Sequence, residues 1–193
     1  MAAKKTIKLL GIPGSLREKS FNRMLLNALA ELVGEDCELD FGTIQGIPLY
    51  NQDDEDHKGI PQAVIDLQNQ IVASDGLVLV TPEYNGSLPG VLKNAIDYLS
   101  RPPKDIERVF RDLPIAILGA TPGGKGTISC QAAWLTVFHQ LKTRPYSGGS
   151  VYVSKAKEVF NEEGKLVDPK MKKQLQDFVD GFKRFASENT RLK

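Results

Sequence analysis

Apolar positions along this chain follow two alternating rhythms. Short, nearly continuous apolar runs cover residues 7–12, 76–80, 114–118 and 150–153, and a weaker alternation covers 37–41. Between them, apolar side chains recur every three or four positions. Met24, Leu25, Ala28, Leu29 and Leu32 do so over residues 22–33, and Val64, Ile65, Leu67 and Ile71 over 60–72, with Pro61 in the first turn. Val91, Leu92, Ala95, Ile96 and Leu99 follow over 89–99, opened by Pro89, then Trp134, Leu135, Phe138 and Leu141 over 129–141. Leu175, Phe178, Val179, Phe182 and Phe185 close the series over 171–185. The first rhythm predicts strands and the second helices. Five such units in alternation predict an α/β fold: a parallel sheet with helices on both faces. The run 76–80, apolar throughout, fits a central strand of such a sheet. A length of 193 residues suits one three-layer domain spanning residues 1–193. The acidic cluster Asp53-Asp54-Glu55-Asp56 reads as a solvated loop after the second strand.

Composition narrows the partners. The formal net charge is +1, which gives no field suited to nucleic acid or an anionic membrane. No apolar run is long enough to span a bilayer. The apolar stretch after residues 1–5 is too short for a signal peptide. Cys37 and Cys130 form no CxxC, so neither a disulfide framework nor a zinc site is expected, and a reducing cytoplasm is the default. His57 and His139 lack the spacing of metal ligands or of a catalytic triad, so no metal is expected.

An open α/β sheet binds ligands outside the carboxyl ends of its strands, where strand order reverses. The loops after the first and third strands should therefore be unusual. After the first comes Gly14-Ser15-Leu16-Arg17-Glu18-Lys19-Ser20-Phe21-Asn22, running straight into a helix. Ser15, Ser20 and Asn22 offer hydrogen bonds, Arg17 a forked permanent charge, and the helix start unpaired N–H groups. Together these suit a phosphate monoester; the plainer reading is a βα turn whose Ser20 or Asn22 caps the helix. After the third strand comes Thr81-Pro82-Glu83-Tyr84-Asn85-Gly86-Ser87-Leu88-Pro89-Gly90. Its turn residues and aromatic ring suit a backbone laid along the edge of a flat heteroaromatic ring, or else a rigid surface turn. After the fourth strand, Gly119-Ala120-Thr121-Pro122-Gly123-Gly124-Lys125-Gly126-Thr127 nearly spells a nucleotide P-loop, but Gly126 stands where the hydroxyl residue must follow the lysine. A glycine-rich flap is the better reading. A phosphatase loop would need a cysteine nucleophile near Gly11-Ile12-Pro13, which has none, and Ser15 lacks the GxSxG elbow.

The two motifs, with Pro89-Gly90-Val91-Leu92-Lys93-Asn94-Ala95-Ile96-Asp97 after them, resemble the NADPH-dependent FMN reductase family, nearest its bacterial quinone and chromate reductases. The resemblance implies a flavodoxin-like three-layer sandwich with a five-stranded parallel sheet in the order 2-1-3-4-5, and FMN as cofactor. It implies that Ser15, Arg17, Ser20 and Asn22 hold the phosphate, with Leu16 and Phe21 adding backbone and wall. Pro82, Glu83, Tyr84, Asn85 and Gly86 would line the isoalloxazine, and Thr121, Gly123 and Gly124 would form a third flavin-side loop. It also implies a homodimer with the flavin near the interface. The arginine and tyrosine that join dimers into tetramers in some members have no clear counterpart beyond Gly126, so a homotetramer stays open.

The activity expected is an NAD(P)H:acceptor oxidoreductase working by ping-pong hydride transfer. Quinones are the first acceptors, with chromate or other metal oxyanions as adventitious ones. No catalytic side chain is named, because the flavin carries the chemistry. Three residues keep two readings each. Glu83 is a backbone-capping or solvated carboxylate, or it transfers protons. Arg101 attracts an anionic substrate at the flavin mouth, or it satisfies a helix C-terminus. Lys125 is a solvated loop lysine, or it meets an anionic substrate or the nicotinamide cofactor's phosphate. A flavodoxin-type electron carrier is the alternative function, though the near-neutral charge argues against it. An azoreductase would share the mechanism.

Overall fold

The computed structural model describes residues 6–191. The lead-in 1–5, weighed above as a signal, lies outside the described residues. Strands β1 (Ile7–Pro13), β2 (Cys37–Phe41), β3 (Gly76–Val80) and β4 (Pro114–Ala120) pair in parallel in the order β2-β1-β3-β4. The reversal between β2-β1 and β1-β3-β4 opens beside β1 and β3, whose register sets Pro13 against Val80. Parallel strands need crossover connections, and helices supply them. Helices α1 (Phe21–Ala30) and α8 (Pro169–Glu188) cover one face; α3 (Gln62–Ala73), α4 (Gly90–Leu99) and α6 (Ile128–Gln140) cover the other.

The core lies in two layers divided by the sheet. Val78 and Val80 of β3 join Leu25, Leu29, Phe178 and Phe182 on one side. Leu77 and Leu79 join Leu67, Ile71, Leu92, Ile96 and Trp134 on the other. Every residue of β3 is buried, which is why its sequence shows no alternation.

Two expectations needed revision. The fifth strand position is filled by two short pieces, β5 (Arg144–Pro145) against the start of β4 and β6 (Tyr152–Val153) against its end. Only the second falls within the predicted 150–153. The Ser147-Gly148-Gly149-Ser150 stretch between them has poor strand propensity, and the ring of Tyr146 turns away to Phe178, Phe182 and Phe185 of α8. The acidic cluster is not a loop but helix α2 (Gln52–Lys58). Asn51 caps it, its side chain accepting from the Asp53 N–H at 3.0 Å. Asp53, Asp54 and Glu55 sit in its first turn, where the helix dipole favours carboxylates. No residue of α2 is buried, so the apolar pattern carried no sign of it. Two further short helices, α5 (Asp105–Val109) and α7 (Ala156–Val159), were likewise not predicted.

Cys37, buried at the head of β2, has its thiol pushed up from 9.0 to about 11 by burial. The folded chain therefore holds this proton more tightly than the unfolded chain does. The resulting stability is complete below about pH 9 and falls away as pH rises to about 11. In urea titrations across that window, Cys37→Ala should lose less stability than the parent. Equal losses would contradict the assignment.

Candidate functional site

The first crevice loop leaves the sheet at Gly14, whose N–H donates to the Val80 carbonyl at 2.8 Å. A Cβ at Gly14 would crowd the end of the Leu92 side chain and lie 3.2 Å from that carbonyl oxygen, so any larger residue there would press the β1 and β3 loops apart. Ser15 and Ser20 are buried, whereas residues 16–19 between them are exposed. The Ser15 hydroxyl accepts from the Arg17 N–H at 3.3 Å. Ser20 caps α1, its hydroxyl accepting from the Asn22 N–H at 3.2 Å. Among the described residues, the Arg17 guanidinium has no ion-pair partner. Phe21 stacks on Phe160 at 6.3 Å, forming a wall below the helix start.

Asn22 is 3% exposed, and its amide is engaged on both sides. Its Nδ2 donates to the Ala120 carbonyl at 3.0 Å, and the Ala120 N–H donates to its Oδ1 at 2.9 Å. The side chain thus acts as a strand partner for the last residue of β4. Its bonds go to the scaffold that holds α1 in place.

The second loop is built around Thr81, which is fully buried. Its hydroxyl donates to the Pro82 carbonyl at 2.9 Å, accepts from Trp134 Nε1 at 3.2 Å and lies 3.2 Å from Cys130 Sγ. Glu83 Oε2 accepts from the Cys130 N–H at 3.0 Å. Tyr84 and Ser87 then exchange backbone bonds at 3.1 and 3.0 Å, closing a two-residue hairpin with Asn85 at φ 52° and Gly86 at φ 72°. Both turn residues are left-handed, which is what an Asn-Gly pair in a tight hairpin supplies. Tyr84 is 43% exposed on it.

The third loop follows β4. Thr121 donates its N–H to Val153 at 2.9 Å and accepts from the Ala156 N–H at 3.0 Å; Gly123 accepts from the Lys155 N–H at 2.8 Å. Residues 122–125, including Gly124 and Lys125, are exposed. Thr127 is fully buried and its hydroxyl accepts from the Gln131 side chain at 3.0 Å, so it has no magnesium-facing role of the P-loop kind.

These three loops share the carboxyl edge of β1, β3 and β4, which brings Ser15, Leu16, Arg17, Ser20, Pro82 to Gly86, Thr121, Gly123, Gly124 and Lys125 to one crevice. Arg101 is elsewhere. It follows the far end of α4, whose ten residues span roughly 15 Å from the crevice side. There its Nε donates to Glu55 Oε2 of α2 at 2.8 Å, and its guanidinium covers the Tyr50 ring at 5.6 Å. Within one chain, Arg101 is a clamp between α2 and α4. Two surface hollows, about 580 Å3 beside Arg108 and Arg191 and about 500 Å3 beside Asp36 and Lys183, lie at the opposite, amino edge of the sheet. No group of metal-binding side chains occurs among the described residues. Sequence reasoning placed Thr81 in the second loop without giving it a role, and missed Cys130 and Trp134 as its partners. A buried threonine directly after an apolar strand was the available signal for the first, whereas the helix pair read only as core.

A parallel sheet reversing beside β1, with a phosphate-suited loop at that reversal, makes this a flavodoxin-like protein. The model of the NADPH-dependent FMN reductase family matches residues 7–158, and the chain belongs to that family. It is an NAD(P)H-dependent FMN oxidoreductase, with FMN as cofactor and NAD(P)H as co-substrate. It is 42% identical over 170 residues to an NAD(P)H-dependent FMN reductase of Pseudomonas aeruginosa, covering 88% of this chain and 90% of that one. It is 38% identical over 177 residues to a 2-hydroxy-1,4-benzoquinone reductase of a Burkholderia species, covering 91% and 94%. Among solved structures, the flavoenzyme NAD(P)H:(acceptor) oxidoreductase of Paracoccus denitrificans superposes with a TM-score of 0.85 at 31% identity, covering 96% of this chain and all of that one.

Replacing Asn22 by Ala would leave the buried N–H and C=O of Ala120 without partners. Stability should fall by about 2–6 kcal/mol, since each of the two groups costs about 1–3 kcal/mol. A urea titration of flavin-free protein checks this; an unchanged midpoint would show that the clip carries no load.

Proposed function

We propose that this crevice holds FMN by its phosphate at residues 15–22 and that the protein passes electrons from NAD(P)H to quinones. The observation that carries the reading is the donor set at the head of α1. Among the described residues, an exposed guanidinium without a carboxylate partner stands between two buried serines, at a helix start that favours anions. That set fits a phosphate monoester. Arg17 neutralises it, the Ser15 and Ser20 hydroxyls and the loop N–H groups orient it, and Leu16 and Phe21 shield it. The hairpin backbone at Pro82 to Gly86 offers hydrogen-bonding groups to a planar ring, with Tyr84 at its border. Thr121, Gly123 and Gly124 border the opposite side. Bound there, FMN supplies the two-electron chemistry between a reduced nicotinamide and an acceptor.

Nicotinamide and acceptor use the same open face in turn, a ping-pong order. Quinones are the acceptors, which the quinone reductases among the relatives support. Chromate and other oxyanions are adventitious acceptors, drawn by Lys125. The chain works as one domain, in a reducing cytoplasm consistent with its two buried free cysteines, and as a homodimer. The exposed Val91 of α4 and Leu49, whose neighbours Pro48 and Tyr50 bond Asn94 of α4, suit such an interface.

Substituting Arg17→Ala should weaken FMN binding at least about tenfold, the scale of a lost charge-assisted hydrogen bond. The urea midpoint of the flavin-free protein should not change, because Arg17 is exposed. Flavin retention equal to the parent's would contradict the phosphate assignment. Steady-state oxidation of NADPH with a quinone should proceed with the purified protein; no turnover in the flavin-loaded protein would favour an electron carrier.

A further inference from the structure

Helix α6 has no cap of its own. Thr127, at its N-cap position, is left-handed at φ 67° and makes no capping bond with its side chain. Its hydroxyl is taken by the Gln131 side chain instead. A helix start leaves its first N–H groups unpartnered, and a carboxylate suits them because the dipole favours negative charge there. In α6 the third of these groups, the Cys130 N–H, donates to Glu83, 47 residues earlier and in the neighbouring loop. Trp134, one turn further along α6, donates to Thr81, and Cys130 Sγ touches the same hydroxyl. Gly119 completes the seam. A Cβ there would overlap the Thr81 carbonyl and the Thr127 hydroxyl, so the lead into the flap passes directly against the second loop.

We propose that Glu83 is a positioning residue that caps α6 from the adjacent loop. It thereby locks the flap 119–127 to the hairpin 84–87 and sets the width of the crevice between them. Of its two readings, capping or proton transfer, the geometry favours capping. Its bonded partner is a backbone N–H, which needs an acceptor and has no use for a proton donor. The consequence for flavin binding rests on the crevice being the FMN site; the latch itself does not.

Amide hydrogen exchange and FMN titration of Glu83→Ala and Glu83→Gln test this. In Glu83→Ala, the amides of Cys130, Ile128 and Thr121 should exchange about tenfold faster, with β1 and β3 unchanged, and the FMN Kd should rise about tenfold, the scale of a lost cap. Glu83→Gln keeps an oxygen acceptor and should restore both to within about threefold of the parent, with the parent's pH profile for NAD(P)H:quinone turnover. Should the alanine variant not fold, Glu83→Met, similar in length but without an oxygen acceptor, replaces it. Unchanged exchange and Kd in the variant lacking an acceptor would overturn the proposal. So would a glutamine variant no better than alanine, or one with a displaced pH profile, which would assign Glu83 to proton transfer. If the parent itself binds no FMN, the flavin reading fails, and the exchange rates alone decide the latch.

Discussion

A strand that ends beneath a binding crevice leaves its last N–H and C=O groups without ladder partners, and burial obliges each to find one elsewhere. In this protein that obligation shapes the site. The Val80 carbonyl is met by Gly14, the Thr81 N–H by Leu118, and both groups of Ala120 by the side chain of Asn22. Each bond joins two different loops or elements at the crevice. The partners that satisfy the strand ends are thus the same contacts that fix the loops to one another.

What this leaves free is informative. Once the buried groups are paired, the exposed parts of the crevice are Arg17 with its flanking loop, the Tyr84 hairpin and the flap 122–125. They sit on a rigid base, since Asn22, Thr81 and Thr127 are all buried and bonded. A reductase whose cofactor carries the reaction asks for this division: the protein holds a planar group firmly and leaves one face open. Arg101 lies outside it, its charge already committed to Glu55 and Tyr50 at the other end of α4.

The sheet and its main helices were legible in the sequence because burial on both faces writes itself into apolar runs. β3 and the apolar stripe of α4 are plain examples. Helix α2 was hidden because its signals are a cap and a charged first turn, with no buried face. The split of the fifth strand was hidden because it depends on where Tyr146 packs, against a helix some thirty residues later in the chain. In the site, the exposed loop that carries Arg17 and the Asn85-Gly86 hairpin were visible from residue types alone. The partner of Asn22 was not, nor was it visible which helix Glu83 caps, because these partners lie 98 and 47 residues away and are backbone atoms, which leave no trace in residue identity.

Under the proposed function, the crevice between residues 15–22, 82–86 and 121–124 is built for FMN. The most direct measurement is the visible absorbance spectrum of the purified protein, followed by identification of the flavin released on heating. The expected result is a yellow protein that releases FMN, and a flavin-free form that takes up FMN in preference to riboflavin, which lacks the phosphate. A colourless protein that binds no FMN, or one that binds riboflavin equally well, would contradict it.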